Sequence, residues 1–185
     1  MANTENEYPL RFSWTVSIVE APKAMRYQRS EDEWMSNVHL LSTIRTLKQF
    51  WQVCHHIPKP SILPAKTVYY IFKEGIKPAW EYGDNVGGGK IIISLKTSLM
   101  KAAGEKMYFD LLLLIIGNQL SSADDVCGMI FKRHKDEIEI WIKKTANNRA
   151  MKASIIAILN EILTLKSELF RLSESDVTYR PHEHS

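Results

Sequence analysis

Two tryptophans of this 185-residue chain lie in polar loops rather than in apolar segments. Trp34 follows the acidic run Glu31–Glu33, and Trp80 precedes Glu81 in a glycine-rich loop. A buried indole adds a large apolar area to a core, so a tryptophan kept in a polar loop indicates a ligand or a partner. Two indole faces and a carboxylate suit a planar, cationic heterocycle, because stacking contributes about 1–3 kcal/mol per base and cation–π attraction adds to it.

A methylated guanine has the properties that this set of side chains would recognise. Glu81 would accept two parallel hydrogen bonds from the N1–H and N2–H groups of the base. The delocalised positive charge of the methylated ring would distinguish it from neutral guanine. The competing interpretation is that each loop folds back and buries its tryptophan, which would leave Glu81 as a solvated loop charge.

Basic side chains that suit phosphate groups occur in two further places. Lys90 follows the triple glycine 87–89, and a basic run occupies a predicted hairpin tip at 132–135. The phosphates of a nucleotide need such partners. The GGGK segment is not the phosphate-binding loop of nucleotide hydrolases, because that loop requires GxxxxGK followed by serine or threonine, and Ile91 follows here. An ordinary solvated turn is the alternative interpretation of the hairpin tip.

The composition is that of an ordinary globular domain rather than of a disordered chain, with 45% hydrophobic and 24% charged residues. The net charge of +3 permits a polyanionic ligand without requiring a long nucleic-acid footprint. The longest strongly apolar run, Leu111–Ile116, is too short to cross a bilayer. The sequence shows no secretory signal, and its two cysteines cannot form a disulfide framework, so we expect a cytoplasmic or nuclear protein.

The elements that must position these residues are those of an α+β domain. Alternating and β-branched segments predict strands at Arg11–Glu20, Val38–Leu41, Thr67–Lys73, Lys90–Leu95, Val126–Lys132, Glu137–Lys143 and Glu168–Leu172. Helical spacing predicts helices at Thr46–Ile57, Gly104–Leu120 and about Asn147–Leu165, with Thr46 and Gln49 as a capping box. These elements predict an antiparallel sheet with about three helices on one face. We expect a disordered leader at 1–7, a single domain at 8–172 and a flexible tail at 173–185.

Short segments in a fixed order along the chain resemble the eukaryotic mRNA cap-binding translation initiation factor 4E family. They lie between Tyr8 and Ala150 and read YPLRFSW, DEWMSN, QFW, FKEGIKPAWE, GGGK, DDVCG, IEIW and NNRA. Most are weak signals individually, but the ordered set is specific. The resemblance implies a curved antiparallel sheet with the helices on its convex face and a cap-binding slot on its concave side.

The resemblance also implies a role for each residue of the slot. Trp34 and Trp80 would stack on 7-methylguanosine, Glu81 would read the guanine edge, and Trp141 would contact the N7-methyl group. The cap phosphates would contact the basic residues Lys90, Lys132, Arg133, His134 and Lys135. The hairpin is shorter than is usual in the family, so its register stays open. Strand alternation aims Lys132 and His134 at the ligand, whereas a tight turn would aim Arg133 and Lys135 there.

A second surface is implied on the opposite side of the domain. In the family, a partner helix of the form Tyr-x4-Leu-hydrophobic, from a 4G scaffold or a competing repressor, docks there by helix-in-groove recognition. The residues that correspond in this chain are Tyr8, Pro9, Leu10, Leu47, Trp51, Phe109, Asp110 and Leu113. Spacing alone would favour the alternative, in which Trp51 faces the core on an amphipathic helix, and the resemblance is what favours an exposed Trp51.

The C-terminal segment departs from the family pattern. Only Arg180, His182 and His184 could help to hold phosphates there, and we expect both histidines to be solvated. These departures, with Tyr8 and Lys90 in place of the usual residues, motivate an alternative function: an adapter or translational repressor with weak or no cap binding.

A cap hydrolase is a third class, but the sequence lacks a carboxylate cluster for Mg²⁺. The contiguous Cys54, His55 and His56 do not have the spacing of a zinc site. We therefore expect a monomeric, non-enzymatic binding module without cofactor or metal, which joins capped mRNA to an initiation scaffold.

Overall fold

The computed structural model describes residues 8–20, 37–59, 62–64, 67–95, 98–133, 135–164 and 171–182. Over these ranges the chain forms seven strands, which are β1 (Pro9–Glu20), β2 (His39–Thr46), β3 (Thr67–Lys73), β4 (Gly89–Ser94), β5 (Val126–Lys132), β6 (Glu137–Ile142) and β7 (Val177–Pro181). The same ranges hold three α-helices, which are α1 (Leu47–His56), α2 (Ser98–Ile116) and α3 (Asn148–Thr164). None of the described helices is both long enough and apolar enough to span a membrane.

The strands form one antiparallel sheet in the order β2-β1-β3-β5-β6-β4-β7. Register shifts interrupt the β1–β2 and β5–β6 ladders. Such irregularities bend strands and increase their local twist. The α+β class, with an antiparallel sheet and three helices, confirms the prediction from sequence.

Strand alternation gives the sheet two apolar faces. On the helix face, Tyr69 and Ile71 of β3 join a large core that includes residues of α2 and α3, such as Leu111 and Ile155. The opposite face, which we call the Trp141 face, carries a smaller cluster made of Val19, Val68, Tyr70, Phe72, Cys127, Ile130 and Trp141. Successive side chains of a strand point to opposite faces, so β3 is buried along its whole length and contributes to both clusters.

Helix α1 begins where the sequence predicts it. The Thr46 hydroxyl accepts a hydrogen bond from the Gln49 backbone N–H at 3.2 Å, as a helix N-cap does. The second hydrogen bond of a capping box, from the N-cap backbone N–H to the side chain three residues later, is not formed. Gln49 Oε1 instead accepts from the Arg45 backbone N–H at 2.7 Å. The cap fixes the direction in which α1 leaves β2.

The C-terminal prediction needs correction. Residues 171–173 are not in a strand, and the rest of the predicted strand Glu168–Leu172 lies outside the described residues. Instead, β7 forms inside the segment that was expected to be a flexible tail, and it pairs with β4 at the edge of the sheet. The buried side chain of Val177 anchors it to the helix-face core. The predicted leader at 1–7 lies outside the described residues.

Candidate functional site

The loop that carries Trp80 and Glu81 is held from inside by Asn85. This side chain is fully buried, and its Nδ2 donates to the backbone oxygens of Lys77 at 2.7 Å and Ala79 at 2.9 Å. Trp80 is half-buried and packs against the cluster of the Trp141 face, while Glu81 is exposed. The fold therefore supports the indole on one side and leaves the neighbouring carboxylate open to a ligand. Sequence reasoning missed Asn85, because a single asparagine in a polar loop carries no signal.

The triple glycine has a packing role where this loop enters β4. A Cβ on Gly88 would lie 2.2 Å from the carbonyl oxygen of Ile142, so no larger residue fits at this approach. Asp84 secures the loop further, because its carboxylate pairs with Lys143 at 2.8 Å. The glycines thus bring the loop directly onto β6 and place Lys90 at the start of β4.

Strand register aligns three of the candidate ligand-binding residues. Lys90 of β4 is the register partner of both Trp141 in β6 and Arg180 in β7. The Trp141 ring is buried and packs edge-on against Phe72, with ring centroids 5.5 Å apart. Ile91 belongs to the helix-face core, so alternation directs Lys90 to the same face as Trp141.

A buried carboxylate that sequence reasoning missed connects these residues. Glu139 Oε1 accepts from Lys132 Nζ at 2.5 Å and lies 3.6 Å from Lys90 Nζ. Its Oε2 accepts from Trp141 Nε1 at 3.1 Å. Burial works to raise the pKa of Glu139, but the Lys132 ammonium and the Trp141 hydrogen bond outweigh it and hold that pKa below its usual value. Strand alternation could have revealed it, because Glu139 lies between the buried Ile138 and Ile140 and two positions before Trp141, which places it on the same face as Trp141.

His182 closes over Trp141, contrary to the expectation that it is solvated. The two ring centroids lie 4.3 Å apart, and the His182 backbone N–H donates to the Gly88 oxygen at 3.0 Å. Burial, and next the positive charge of Lys90, lower the pKa of His182 to about 4. The pairing of β7 with β4 brings this histidine back to the sheet. His184 lies outside the described residues.

The basic hairpin divides between the two faces. Lys132 lies on the Trp141 face through its bond to Glu139. Arg133 points to the helix side, where it lines a groove and pairs with Asp136 at 2.8 Å. Lys135 is exposed at the turn, and His134 lies outside the described residues. Among the predicted phosphate ligands, the structure therefore brings together Lys90 and Lys132. Trp34, the second predicted stacking residue, also lies outside the described residues.

Contacts join several of the predicted partner-binding residues on the helix side. Trp51 is 41% exposed, so it is not a core residue, and its ring lies 6.1 Å from that of Phe109 on α2. The backbone oxygen of Tyr8 accepts from the Leu47 N–H at 2.8 Å, which joins the start of β1 to α1. We call this area the Trp51 surface, and it consists of Tyr8, Pro9, Leu10, Leu47, Trp51, Phe109, Asp110 and Leu113.

Two features complete the Trp51 surface. Asp110 is ion-paired with Lys106 one turn earlier on α2. A groove of about 1010 Å³ opens beside Trp51 between α1, α2 and the β5–β6 hairpin, and Tyr108 and Arg133 help to line it. The surface therefore combines an exposed indole, aliphatic neighbours and an acid, which is the chemistry that recognises an amphipathic helix.

Comparison with known proteins identifies similar sequences and folds. The family model described as eukaryotic initiation factor 4E matches residues 9–185. The Arabidopsis thaliana protein named eukaryotic translation initiation factor NCBP is 31% identical over 149 residues, which are 80% of this chain and 64% of that protein. The structure resembles that of Ascaris suum eIF4E-3 in complex with the m7G cap, with 25% identity, a TM-score of 0.71, and coverage of 97% of this chain and 93% of that one. It also resembles Caenorhabditis elegans eIF4E-3 in complex with the 4E-binding protein Mextli, with 25% identity, a TM-score of 0.74, and coverage of 95% and 94%.

Proposed function

Because this chain belongs to the eukaryotic initiation factor 4E family, we propose that it binds the 7-methylguanosine cap of mRNA on the Trp141 face of its sheet. The main support is one geometric observation: strand register and the buried Glu139 bring Lys90, Lys132 and Trp141 together beside the cluster that supports Trp80. A related protein, the Ascaris suum eIF4E-3, has been solved with the m7G cap.

The side chains have separate tasks in this proposal. Trp80 stacks on the methylated guanine, together with Trp34, whose role rests on the sequence resemblance alone. Glu81 accepts hydrogen bonds from the guanine edge, since its carboxylate is exposed next to Trp80. Trp141 contacts the N7-methyl group. Lys90 and Lys132 form ion pairs with the phosphates.

The Trp51 surface recruits a partner helix in the same proposal. It lies on the helix side of the sheet, so cap and partner do not compete for space. The partner is an initiation-factor scaffold or a repressor with a Tyr-x4-Leu-hydrophobic helix, and a related protein has been solved with the 4E-binding protein Mextli. The chain then acts in the cytoplasm as a monomeric, non-enzymatic bridge between capped mRNA and this partner.

Tryptophan fluorescence tests the cap-binding proposal. Titration with 7-methyl-GTP should quench the emission saturably, and GTP should bind at least about tenfold more weakly because it lacks the ring charge that drives the cation–π attraction. Trp80→Leu should abolish this discrimination. Trp51→Leu is the matched control, because it removes an indole from the other side of the sheet and should leave it unchanged. Equal affinity for the two nucleotides would overturn the proposal.

Glu139 favours a second candidate, an adapter or translational repressor with weak cap binding. Its carboxylate offsets part of the positive charge that would attract cap phosphates. Passage over immobilised 7-methyl-GTP separates the two candidates. A cap-binding factor would be retained, whereas an adapter would flow through and still capture a Tyr-x4-Leu-hydrophobic peptide through Trp51.

A further inference from the structure

On the Trp141 face, Glu139 joins two lysines in one group of charged side chains. Lys132 Nζ and Lys90 Nζ lie 2.5 Å and 3.6 Å from the same oxygen of Glu139. The side chains of the two lysines are 17% and 26% exposed, whereas that of Glu139 is 2% exposed. The lysine side chains are therefore partly accessible, while their counter-ion is shielded from water.

The group carries one positive charge in total, because two lysines are offset by one ionised glutamate. Burial limits the ability of solvent to screen the carboxylate. A phosphate that approaches the lysines must share them with Glu139 and also meets its repulsion. The arrangement should reduce the gain in affinity that each additional phosphate provides.

On the basis of the function proposed above, we propose that Glu139 is a specificity-determining residue that limits how far binding depends on the phosphate chain. It does so as an internal counter-ion for Lys90 and Lys132. Selection of the ligand then rests more on the base, through Trp80, Glu81 and Trp141, than on charge. A ligand with a short phosphate chain, or one that presents fewer free phosphates, loses little at such a site.

A purely structural role for Glu139 predicts a different outcome. Its second oxygen accepts the indole N–H of Trp141 at 3.1 Å, so the residue also orients that ring. Loss of ring orientation would weaken every ligand that contacts Trp141 by the same factor. The counter-ion role instead changes the ratio between ligands that share a base and differ only in phosphates.

Glu139→Gln separates the two roles, because an amide keeps an acceptor for Trp141 and removes the charge. The affinities of 7-methyl-GMP and 7-methyl-GTP are measured by isothermal titration for wild type and variant. The affinity for 7-methyl-GTP divided by that for 7-methyl-GMP should rise on the order of tenfold in the variant. This is the effect expected from one unit charge about 8 Å from the added phosphates at an intermediate dielectric constant.

A charge-conserving variant and a matched control keep the result interpretable. Glu139→Asp keeps the carboxylate and shortens its reach, so its ratio should stay close to the wild-type value even where both affinities fall. Glu161→Gln is the charge-matched control, because Glu161 is an exposed residue of α3. Its ratio should equal that of the wild type.

The outcomes distinguish this inference from the proposed function. If wild type binds both nucleotides and Glu139→Gln leaves their ratio unchanged, or weakens both equally, the counter-ion role is wrong and cap binding stands. If wild type binds neither nucleotide, the proposed function fails and the inference fails with it. A higher ratio in Glu139→Gln, with the wild-type ratio kept in Glu139→Asp, supports the inference.

Discussion

Replacement of Asn85 by aspartate tests how the loop that carries Trp80 is held in place. The Asn85 Nδ2 group donates to two backbone oxygens, those of Lys77 at 2.7 Å and Ala79 at 2.9 Å, in a fully buried position. Aspartate has the same shape, but its carboxylate cannot donate and would point at these oxygens. Each lost hydrogen bond costs about 0.5–1.5 kcal/mol, and the buried unpaired charge adds to this, so the free energy of unfolding should fall by about 3 kcal/mol or more at pH 7.

The pH dependence of this variant has a definite sign. Burial among carbonyl oxygens raises the pKa of the new carboxyl above its value of about 3.9 in the unfolded chain. The native variant then binds more protons than its unfolded state, so its stability relative to wild type rises as the pH falls through the raised pKa. A protonated carboxyl also restores one of the two lost donors.

Urea unfolding at pH 7 and at pH 4.5 measures both effects. Asn147→Asp provides the matched control, because Asn147 Oδ1 accepts from the Ala150 backbone N–H at 3.0 Å and aspartate is an equally good helix cap. The control should lie within about 0.5 kcal/mol of wild type at pH 7 and should gain nothing on acidification. The reasoning is refuted if Asn85→Asp is as stable as the control at pH 7, or if acidification destabilises it further relative to wild type.

Two further predictions concern Trp51 and His182. Trp51→Ala should weaken binding of a Tyr-x4-Leu-hydrophobic peptide by about 2 kcal/mol or more without changing the affinity for 7-methyl-GTP, and calorimetric titration that shows an equal loss of both would contradict it. Burial and the Lys90 charge lower the pKa of His182 from 6.5 to about 4, so the unfolded state gains a proton that the native state lacks, and stability declines as the pH falls from about 6.5 to about 4. In His182→Gln the unfolding free energy should depend less on pH between about pH 6.5 and about pH 4. An unchanged slope in the variant would show that His182 is not the cause of the decline.

Local sequence signals were sufficient where neighbouring residues determine the structure. Thr46 and Gln49 lie three positions apart and cap α1 by themselves, so the helix start was predictable. The run Thr67–Lys73 is rich in β-branched and aromatic residues and forms a fully buried strand.

Features that depend on distant partners were not predictable in the same way. The segment Val177–Pro181 is short and mostly polar, and its pairing with β4 depends on a partner far away in the chain. Because that pairing was missed, the burial of His182 against Trp141 was missed as well. Glu139 looks like a solvated strand residue until Lys132, across the hairpin, is seen to pair with it.

The alternation of β3 explains why the two proposed binding surfaces can act independently. Tyr69 belongs to the helix-face core, whereas the next residue, Tyr70, belongs to the cluster of the Trp141 face. Trp51 lies beside Phe50, which is buried in the helix-face core, with ring centroids 5.2 Å apart. A partner helix, as proposed for the Trp51 surface, would contact α1, α2 and the start of β1, on the side of the sheet opposite the Trp141 face. Under the proposed function, cap and partner should bind additively, and the strength of the bridge is then the sum of two separate binding free energies.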